Sequence, residues 1–302
     1  MDGIAEQLRS ITSGVLENES MSDHTTFRTG GCADIFVTPK SAKEATDVVR
    51  LLLANDIPYT VIGNGSNILV SDRGYRGCIV CMGADGITSD GTTITAQAGA
   101  LLARTARCAY ERGLSGLEFA SGIPGSVGGA VVMNAGAYGA EMKDVVSSVK
   151  LFDTRTQEVI SLSADEMCFG YRTSIAKKEP YIVLEATFEL TCGGKIQIKE
   201  TMDDLAARRR TKQPLELPSA GSTFKRPEGY FAGKLIEDAG LKGYRVGDAA
   251  VSDKHCGFVV NCGNASASDV MDLIRHIRKT VNERSGVMLE PEIVLLGEDM
   301  DI

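Results

Sequence analysis

The chain has 302 residues, enough for one large domain or for two or three smaller ones that each bury a core. Its 32 Lys and Arg against 40 Asp and Glu give a net charge of −8, which argues against nucleic acid or an anionic membrane as the main partner. The sequence shows neither a long apolar run nor the pattern of a signal peptide, and therefore predicts a cytoplasmic protein.

The eight cysteines are scattered among apolar and loop positions, which predicts reduced thiols rather than a disulfide scaffold. Cys78 and Cys81 have the spacing of a redox or zinc pair, but they lie in a strand-like run without a second Cys or His pair nearby. With only three histidines, all far apart in the sequence, no metal site is predicted.

The first elements in chain order are a helix over 4–11, a polar segment over 17–23 and a strand over 33–37. A helix over 41–54 follows, with Ser41 as its N-cap and Glu44 three residues later. Strands over 59–62 and 68–70 then flank a turn of small residues.

That turn contains Gly63, Asn64, Gly65, Ser66 and Asn67. Its backbone N–H groups, hydroxyl and amides suit the oxygens of a pyrophosphate. It matches neither a Rossmann fingerprint nor a P-loop. A plain hairpin turn remains the alternative interpretation.

Strands over 79–82 and 92–98 and a helix over 101–112 lead to a second, glycine-rich loop over 121–130. So many glycines indicate a backbone with positive φ or one pressed against a ligand. Together with the first loop, it could hold an extended dinucleotide, whereas the alternative is a glycine-rich core turn. The candidate residues are Ser121, Gly122, Ile123, Pro124, Gly125, Ser126, Gly128, Gly129 and Ala130.

Alternating apolar and polar residues predict strands over 145–151, 158–162 and 181–190. Between them, Arg172 stands beside Tyr171 and two hydroxyl residues. A guanidinium offers a planar fork of donors for a carboxylate or phosphate. The alternative is a surface arginine lying over Tyr171.

Residues 192–194 mark a predicted domain boundary, and a helix over 198–211 with a basic, mostly solvated end follows. Ser222 then stands after Gly221 and shortly before Lys225 and Arg226, where an alkoxide is tolerated. Because no G-x-S-x-G elbow surrounds Ser222, a hydrolase nucleophile is not indicated.

Helices are predicted over 231–239 and 266–283, and strands over 257–261 and 287–297. The last strand would carry Glu290 and Glu292 on one face of a sheet. A carboxylate among apolar neighbours is costly unless it is paired or used, so Glu292 is a candidate functional residue.

Five motifs occur in order, at residues 63–67, 121–130, 171–174, 220–225 and 289–293. Together they resemble the UDP-N-acetylenolpyruvoylglucosamine reductase family, the flavoenzymes of peptidoglycan precursor synthesis, a step needed for cell shape and division. The resemblance covers nearly the whole chain.

The resemblance implies an α+β chain with an FAD-binding fold of the vanillyl-alcohol-oxidase (PCMH) type in two subdomains, over 1–85 and 86–194. A smaller α+β substrate-binding domain over 195–302 would follow, and its last strand, about 287–297, would return Glu292 to the flavin site. Noncovalent FAD would be held by residues 63–67 with Ile68, and by the candidate residues of the 121–130 loop.

In that family, a hydride passes from NADPH to FAD and then to the enol ether carbon of UDP-N-acetylglucosamine enolpyruvate, which gives UDP-N-acetylmuramate. By motif, Ser222 would protonate the neighbouring carbon, and Arg172 and Glu292 would stabilise the enolate or enol. Lys212, Lys225, Arg226 and His255 would contact substrate, and the protein would be a monomer.

The chain resembles the shorter class of the family, since no room is left before the basic helix for an inserted tyrosine loop. Two alternatives remain open. One is a flavin oxidase of the same fold acting on an alcohol or lactone, often with FAD attached through His or Cys. The other is a non-enzymatic UDP-sugar sensor.

Overall fold

The computed structural model describes residues 3–300, which divide by their packing into two compact units. The first unit comprises the described residues up to Glu17 with Ile35–Asn64 and Gly77–Arg209. The second comprises Asn18–Asp34, Gly65–Arg76 and the described residues from Arg210 onward. The second unit is therefore assembled from three separate stretches of chain.

The α-helices of the described chain largely follow the predicted ones, and α1 and the Ser41 cap are confirmed. Ser41 Oγ accepts a hydrogen bond from the Glu44 N–H at 3.1 Å, which satisfies a donor that the first turn of α2 leaves unpaired. The helices are α1 Ile4–Ile11, α2 Ala42–Ala54, α3 Leu102–Glu111, α4 Val127–Val132, α5 Ile175–Lys178, α6 Lys195–Lys212, α7 Ala232–Asp238 and α8 Ala267–Ser285.

The strands of the described chain are mostly short. They are β1 Val15–Ser20, β2 Cys32–Val37, β3 Tyr59–Ile62, β4 Ile68–Val70, β5 Tyr75–Cys81, β6 Ile87–Asp90, β7 Thr93–Gln97, β8 Leu114–Ser115, β9 Gly136–Ala137, β10 Ala140–Glu141, β11 Val146–Asp153, β12 Glu158–Ser163, β13 Tyr181–Glu189, β14 Thr191–Cys192, β15 Arg245–Val246, β16 Ala249–Val251, β17 Val259–Asn261 and β18 Val294–Leu296.

A five-stranded antiparallel sheet of order β12-β11-β13-β7-β6 forms the largest sheet of the first unit. Its inward residues pack against α3 and α4 in a core that includes Phe152, Phe188 and Leu102, all buried. A second sheet has the order β1-β2-β5-β3, and β3 and β5 in it run parallel. Burial of these apolar faces is the main source of stability for the unit.

The second unit has its own core, in which α7 and α8 pack beside the antiparallel strands β15-β16-β17. In this unit β18 pairs in parallel with β4. The Asp72 carboxylate also accepts hydrogen bonds from the N–H groups of Ala267 at 2.7 Å and Ser268 at 2.9 Å, at the first turn of α8. A carboxylate there satisfies orphan donors and favours the helix dipole.

Some sequence interpretations of the strands differ from the structure. Residues 15–20 form β1, which was not predicted because residues 17–23 were read only as a polar segment, and pairing in a sheet overrides weak propensity. The hairpin alternative for residues 63–67 is wrong, since β3 pairs with β5 and β4 with β18. The last strand covers only Val294–Leu296, so Glu290 and Glu292 precede it.

Cys78 and Cys81 lie on β5, and burial raises the pKa of Cys78 to about 12 and that of Cys81 to about 11. A raised pKa lowers the thiolate fraction at pH 8, and the thiolate is the reactive form. We therefore expect iodoacetamide at pH 8 to alkylate the exposed Cys168, Cys192 and Cys262 first. Peptide mass spectrometry of the native protein measures this order, and alkylation of Cys78 as fast as Cys192 would contradict it.

Candidate functional site

In the first unit, Gly63 and Asn64 of the first predicted cofactor loop lie against the glycine-rich loop over 121–130. The side-chain Nδ2 of Asn64 donates a hydrogen bond to the Pro124 carbonyl at 2.5 Å. A Cβ placed on Gly63 would lie 2.1 Å from Ser126 Oγ, so a larger residue there would have to displace this hydroxyl. The close approach of backbone to side chain explains Gly63 without a hairpin.

The glycine-rich loop is fastened to the end of β7 and the start of α3 by its backbone. Val127 N donates to the Ala100 carbonyl at 2.8 Å, and Leu102 N donates to the Gly125 carbonyl at 3.0 Å. None of the glycines in 121–130 has a positive φ, so that part of the prediction is wrong. Close packing explains Gly128 instead, because a Cβ there would lie 2.9 Å from the Cβ of Ala98.

The same packing explains α4, a helix that the sequence analysis missed. Two adjacent glycines give the segment a low helix propensity, which indicated a loop. In the structure the Gly128 N–H donates to the Ala98 carbonyl at 2.8 Å, and Val127 and Val131 are fully buried. Tertiary contacts therefore fix this helix where local propensity does not.

One further observation supports the binding of a flavin nucleotide at these loops. Ser126 Oγ is buried and has no hydrogen-bond partner among the described residues. An unpaired buried hydroxyl costs about 1–3 kcal/mol, which a polar cofactor atom would offset. Ser126 faces the glycine at position 63, where no side chain intervenes.

Arg209 was not singled out from the sequence, where it is one of three arginines in a run. Its Cδ lies 3.1 Å from where a Cβ on Gly122 would be, and burial lowers the pKa of its guanidinium. Within residues 3–300 no hydrogen bond or ion pair to Arg209 is found. The sequence did contain a signal for the burial of Arg209, because at helical spacing position 209 falls on the same face of α6 as the buried Ile198.

Arg172 lies at the tip of a tight turn in the first unit. Gly170 N donates to the Thr173 carbonyl at 2.9 Å, Thr173 N donates back at 3.2 Å, and Arg172 has a left-handed φ of 55°. The guanidinium carbon lies 5.1 Å from the centre of the Tyr171 ring, so the stacking that the alternative interpretation foresaw is present. Lys177 Nζ donates to the Arg172 carbonyl at 3.2 Å.

In the second unit, the loop around Gly65 is shaped by the chain that precedes it. Gly65 has a φ of 60°, and a Cβ there would lie 1.9 Å from the His24 carbonyl oxygen. Ile68 begins β4 and pairs with Val294 of β18. Asn67 Nδ2 donates to the Glu292 carbonyl at 3.3 Å, so this loop is joined to the segment that carries a predicted catalytic residue.

Ser222 and Glu292 belong to two segments that pair within the second unit. Phe224 and Pro291 form an antiparallel bridge, and Glu292 N donates to the Thr223 carbonyl at 2.8 Å. Ser222 is exposed, and Glu292 is half-buried. The structure thus brings two of the three predicted catalytic residues onto neighbouring segments, whereas Arg172 belongs to the first unit.

His255 is connected to the Ser222 segment through the backbone. Gly257 N donates to His255 Nδ1 at 3.1 Å, and the Gly257 carbonyl accepts from Thr223 N at 2.9 Å. Burial lowers the pKa of His255, which favours the neutral ring. Because Nδ1 accepts a hydrogen bond, the proton of that neutral ring is on Nε2.

The other predicted substrate residues in the second unit have different surroundings. Lys225 Nζ lies 3.0 Å from Glu290 Oε2, so this lysine is neutralised by the first of the two glutamates. The Arg226 guanidinium stacks 4.0 Å from the centre of the Phe231 ring. Lys212 ends α6 and is exposed.

Together, the candidate residues supply a guanidinium, a hydroxyl, a carboxyl and a neutral imidazole. Among residues 3–300 no group of three or more acidic, His or Cys side chains could hold a metal ion. No helix of that part of the chain is long and apolar enough to span a membrane. The groups present suit acid–base chemistry and charge stabilisation at an organic substrate.

Two family models match the chain. An FAD binding domain matches residues 33–163. The C-terminal domain of UDP-N-acetylenolpyruvoylglucosamine reductase matches residues 213–296. The first match contains the Gly63 and Ser126 loops, and the second contains Ser222, His255 and Glu292.

Relatives are similar over nearly their whole length. A UDP-N-acetylenolpyruvoylglucosamine reductase from Exiguobacterium sibiricum is 49% identical over 99% of this chain and 96% of its own length. One from Clostridioides difficile is 53% identical over 93% of each chain.

Solved structures agree with the predicted fold. The crystal structure of the reductase (MurB) from Thermus caldophilus superimposes with a TM-score of 0.79 at 37% identity, covering 94% of this chain and 98% of that one. An alkyldihydroxyacetonephosphate synthase, at 14% identity and a TM-score of 0.50 over 64% of this chain and 40% of its own, shares the fold alone. The predicted α+β, FAD-binding fold is confirmed, and the chain belongs to the UDP-N-acetylenolpyruvoylglucosamine reductase family.

Proposed function

We propose that this chain reduces UDP-N-acetylglucosamine enolpyruvate to UDP-N-acetylmuramate with FAD as its cofactor and NADPH as the hydride donor. Identity near 50% to reductases over almost the entire chain supports this activity. The structural observation that carries it is the pairing of the Ser222 and Glu292 segments, bridged at Phe224 and Pro291. This pairing brings the segment that carries the hydroxyl beside the segment that carries the carboxyl, the two kinds of group proposed here to protonate and to stabilise an enolate.

FAD, when bound, would supply the hydride-transfer chemistry that links NADPH to the enol ether carbon of the substrate. We propose that the Gly63 and Ser126 loops hold it, because the buried, unpaired Ser126 Oγ needs a polar partner. Arg209 lies beside Gly122 and is partly desolvated, and we propose that its guanidinium contacts the same ligand. A desolvated guanidinium is stabilised by a hydrogen-bond acceptor or an anion.

We assign Arg172 and Glu292 to the charge that develops on the substrate. Addition of hydride to the enolpyruvyl group moves negative charge into its carboxylate, where a guanidinium fork offers two parallel donors. Arg172, with its left-handed φ, lies at the tip of a turn that is closed by the isolated bridge between Gly170 and Thr173. Glu292, half-buried, is proposed to stabilise the enol form.

Ser222 is proposed to donate the proton that completes the reaction at the carbon next to the hydride acceptor. A hydroxyl is a weak acid in water, so the transfer requires a site from which water is excluded and where the departing proton is replaced. The neutral His255 is joined to the Ser222 segment through Gly257, and carries its proton on Nε2. We propose that His255 contacts substrate together with Lys212, Lys225 and Arg226.

The finer assignments remain proposals. We propose the shorter class of the family, because only Gly193 and Gly194 separate β14 from α6. A preference for NADPH, a monomeric state and a cytoplasmic location complete the proposal, since UDP-sugars and NADPH are cytoplasmic metabolites. Residues 195–302 are proposed as the substrate-binding domain and residues 1–85 and 86–194 as the FAD-binding subdomains.

We expect FAD to be held without a covalent bond. Acid precipitation of the purified protein should leave a yellow supernatant with the absorption spectrum of free FAD. A yellow pellet would favour the flavin-oxidase alternative, in which His or Cys carries the flavin.

Replacement of the proton donor should slow only the second half of the reaction. In Ser222→Ala, we expect stopped-flow reoxidation of the reduced flavin by the enolpyruvyl substrate to be roughly 10²–10⁴-fold slower, the range for loss of a general acid. Reduction by NADPH should stay normal.

The matched control is Ser219→Ala in the same loop, where only the backbone carbonyl of Ser219 is engaged, by Thr26. Equal reoxidation rates in Ser222→Ala and the parent protein would remove Ser222 from the chemistry. Failure of the parent protein to oxidise NADPH in the presence of substrate would favour the sensor alternative.

The two glutamates should differ although only one residue separates them. Glu292→Gln removes the carboxyl proposed to stabilise the enol, and we expect reoxidation to slow by about 10²-fold or more. Glu290→Gln removes only the partly exposed ion pair with Lys225 and should change the rate less than threefold. Stopped-flow absorbance at the flavin band measures both variants, and equal effects would contradict the assignment.

A further inference from the structure

A buried amide lies beside the turn that carries Arg172. Asn134 is fully buried, and it has a positive φ of 42°, a conformation that Asn tolerates better than most residues. Its Nδ2 donates to the Gly170 carbonyl at 3.0 Å and to Glu141 Oε2 at 2.6 Å. Its Oδ1 accepts from Lys143 N at 3.0 Å, so both ends of the amide are used.

These contacts join two parts of the first unit. Asn134 follows the end of α4, the helix whose N-terminal side begins at the Ser126 loop. Gly170 opens the turn at whose tip Arg172 lies. A parallel link runs from Ser174 Oγ to the Val132 carbonyl at 2.9 Å, on the other side of the same turn. Gly170 and Ser174, on the two sides of the Arg172 turn, are thus each hydrogen-bonded to a residue at or just beyond the C-terminal end of α4.

We propose that Asn134 is a positioning residue for Arg172, which fixes the turn so that the guanidinium meets the developing charge on the substrate. This inference rests on the proposed function of Arg172.

The chemistry of the contacts selects an asparagine. The Gly170 carbonyl and the Glu141 carboxylate are both acceptors, while Lys143 N is a donor. Only a primary amide presents two N–H donors at one atom and an acceptor at the other. An aspartate would place a second carboxylate beside Glu141 and lose both donors.

The geometry of the Arg172 turn also explains how Asn134 would affect the reaction rate. The Arg172 turn closes with two backbone hydrogen bonds, and its tip has a left-handed φ that favours glycine. Without an external anchor such a turn has several accessible conformations. A misplacement of about 1 Å in a charge-stabilising group costs about 10²-fold in rate.

The test uses the FAD-loaded full chain carrying Asn134→Gly, which keeps the positive φ without strain, and Asn134→Asp, which keeps the acceptor but removes both donors. We expect reoxidation of reduced flavin by the enolpyruvyl substrate to be about 10–100-fold slower in each. Reduction by NADPH and FAD content should change less than twofold. Hydrogen exchange measured by mass spectrometry should rise in the peptide over 168–174.

A double-mutant cycle separates positioning from general damage. In an Arg172→Ala background, Asn134→Gly should slow reoxidation by less than twofold further, because its effect acts through the missing guanidinium. The matched control is Asn261→Ala, which removes a buried amide with three hydrogen bonds in the second unit. It should lower the melting temperature with less than twofold effect on reoxidation.

Equal slowing by Asn134→Gly in both backgrounds, or parent-like reoxidation in both Asn134 variants, would overturn the positioning role while leaving the role of Arg172 intact. Parent-like reoxidation in Arg172→Ala alone would instead overturn the proposed role of Arg172, and the inference with it. The two failures are therefore distinguishable in one set of measurements.

Discussion

The antiparallel contact between the Ser222 and Glu292 segments is the constraint on which the second unit depends. Two backbone hydrogen bonds, from Lys225 N to the Glu290 carbonyl and from Glu292 N to the Thr223 carbonyl, flank the bridge between Phe224 and Pro291. Pro291 occupies the non-hydrogen-bonded position of this bridge, so its missing N–H costs the pairing no hydrogen bond. The contact fixes the backbone of the segments that carry Ser222 and Glu292, and a backbone that is already ordered lowers the entropy cost of arranging a site.

In the first unit the corresponding constraint is close packing around glycine. A Cβ at Gly128 would lie 2.9 Å from the Cβ of Ala98, and a Cβ at Gly63 would displace the Ser126 hydroxyl. Hydrogen bonds to Ala98 and Ala100 also hold the backbone of the 121–130 loop, so this loop is not a flexible segment. A preformed loop of this kind loses little conformational freedom when a ligand binds.

Much of the fold could be predicted from the sequence, and the reasons for the failures are specific. Helix α2 carries both an apolar stripe and the Ser41 cap, so local signals agree with the structure. Helix α4 and strand β1 depend on tertiary partners, Ala98 for α4 and β2 for β1, and local propensity opposes them. The long final strand was predicted from alternation alone, but Pro291 bridges to Phe224 whereas Val294–Leu296 pairs with β4, so the alternating segment is divided between two partners. Among the proposed site residues, Ser222, Arg172 and Glu292 were singled out by their residue chemistry and by motifs of a known family, whereas Asn134 and Arg209 became visible only through burial and contacts.

The second unit is built from stretches that the ribosome makes at very different times. Asn67 and Glu292, which are hydrogen-bonded, are 225 residues apart in the sequence, and Asp72 and Ala267 are 195 apart. Strand β4 therefore leaves the exit tunnel with its partner β18 still untranslated, and its edge stays open while the first unit is being synthesised. An exposed strand edge is prone to wrong pairing, so this nascent chain has a long interval in which a chaperone or rapid burial by neighbouring apolar residues must protect it.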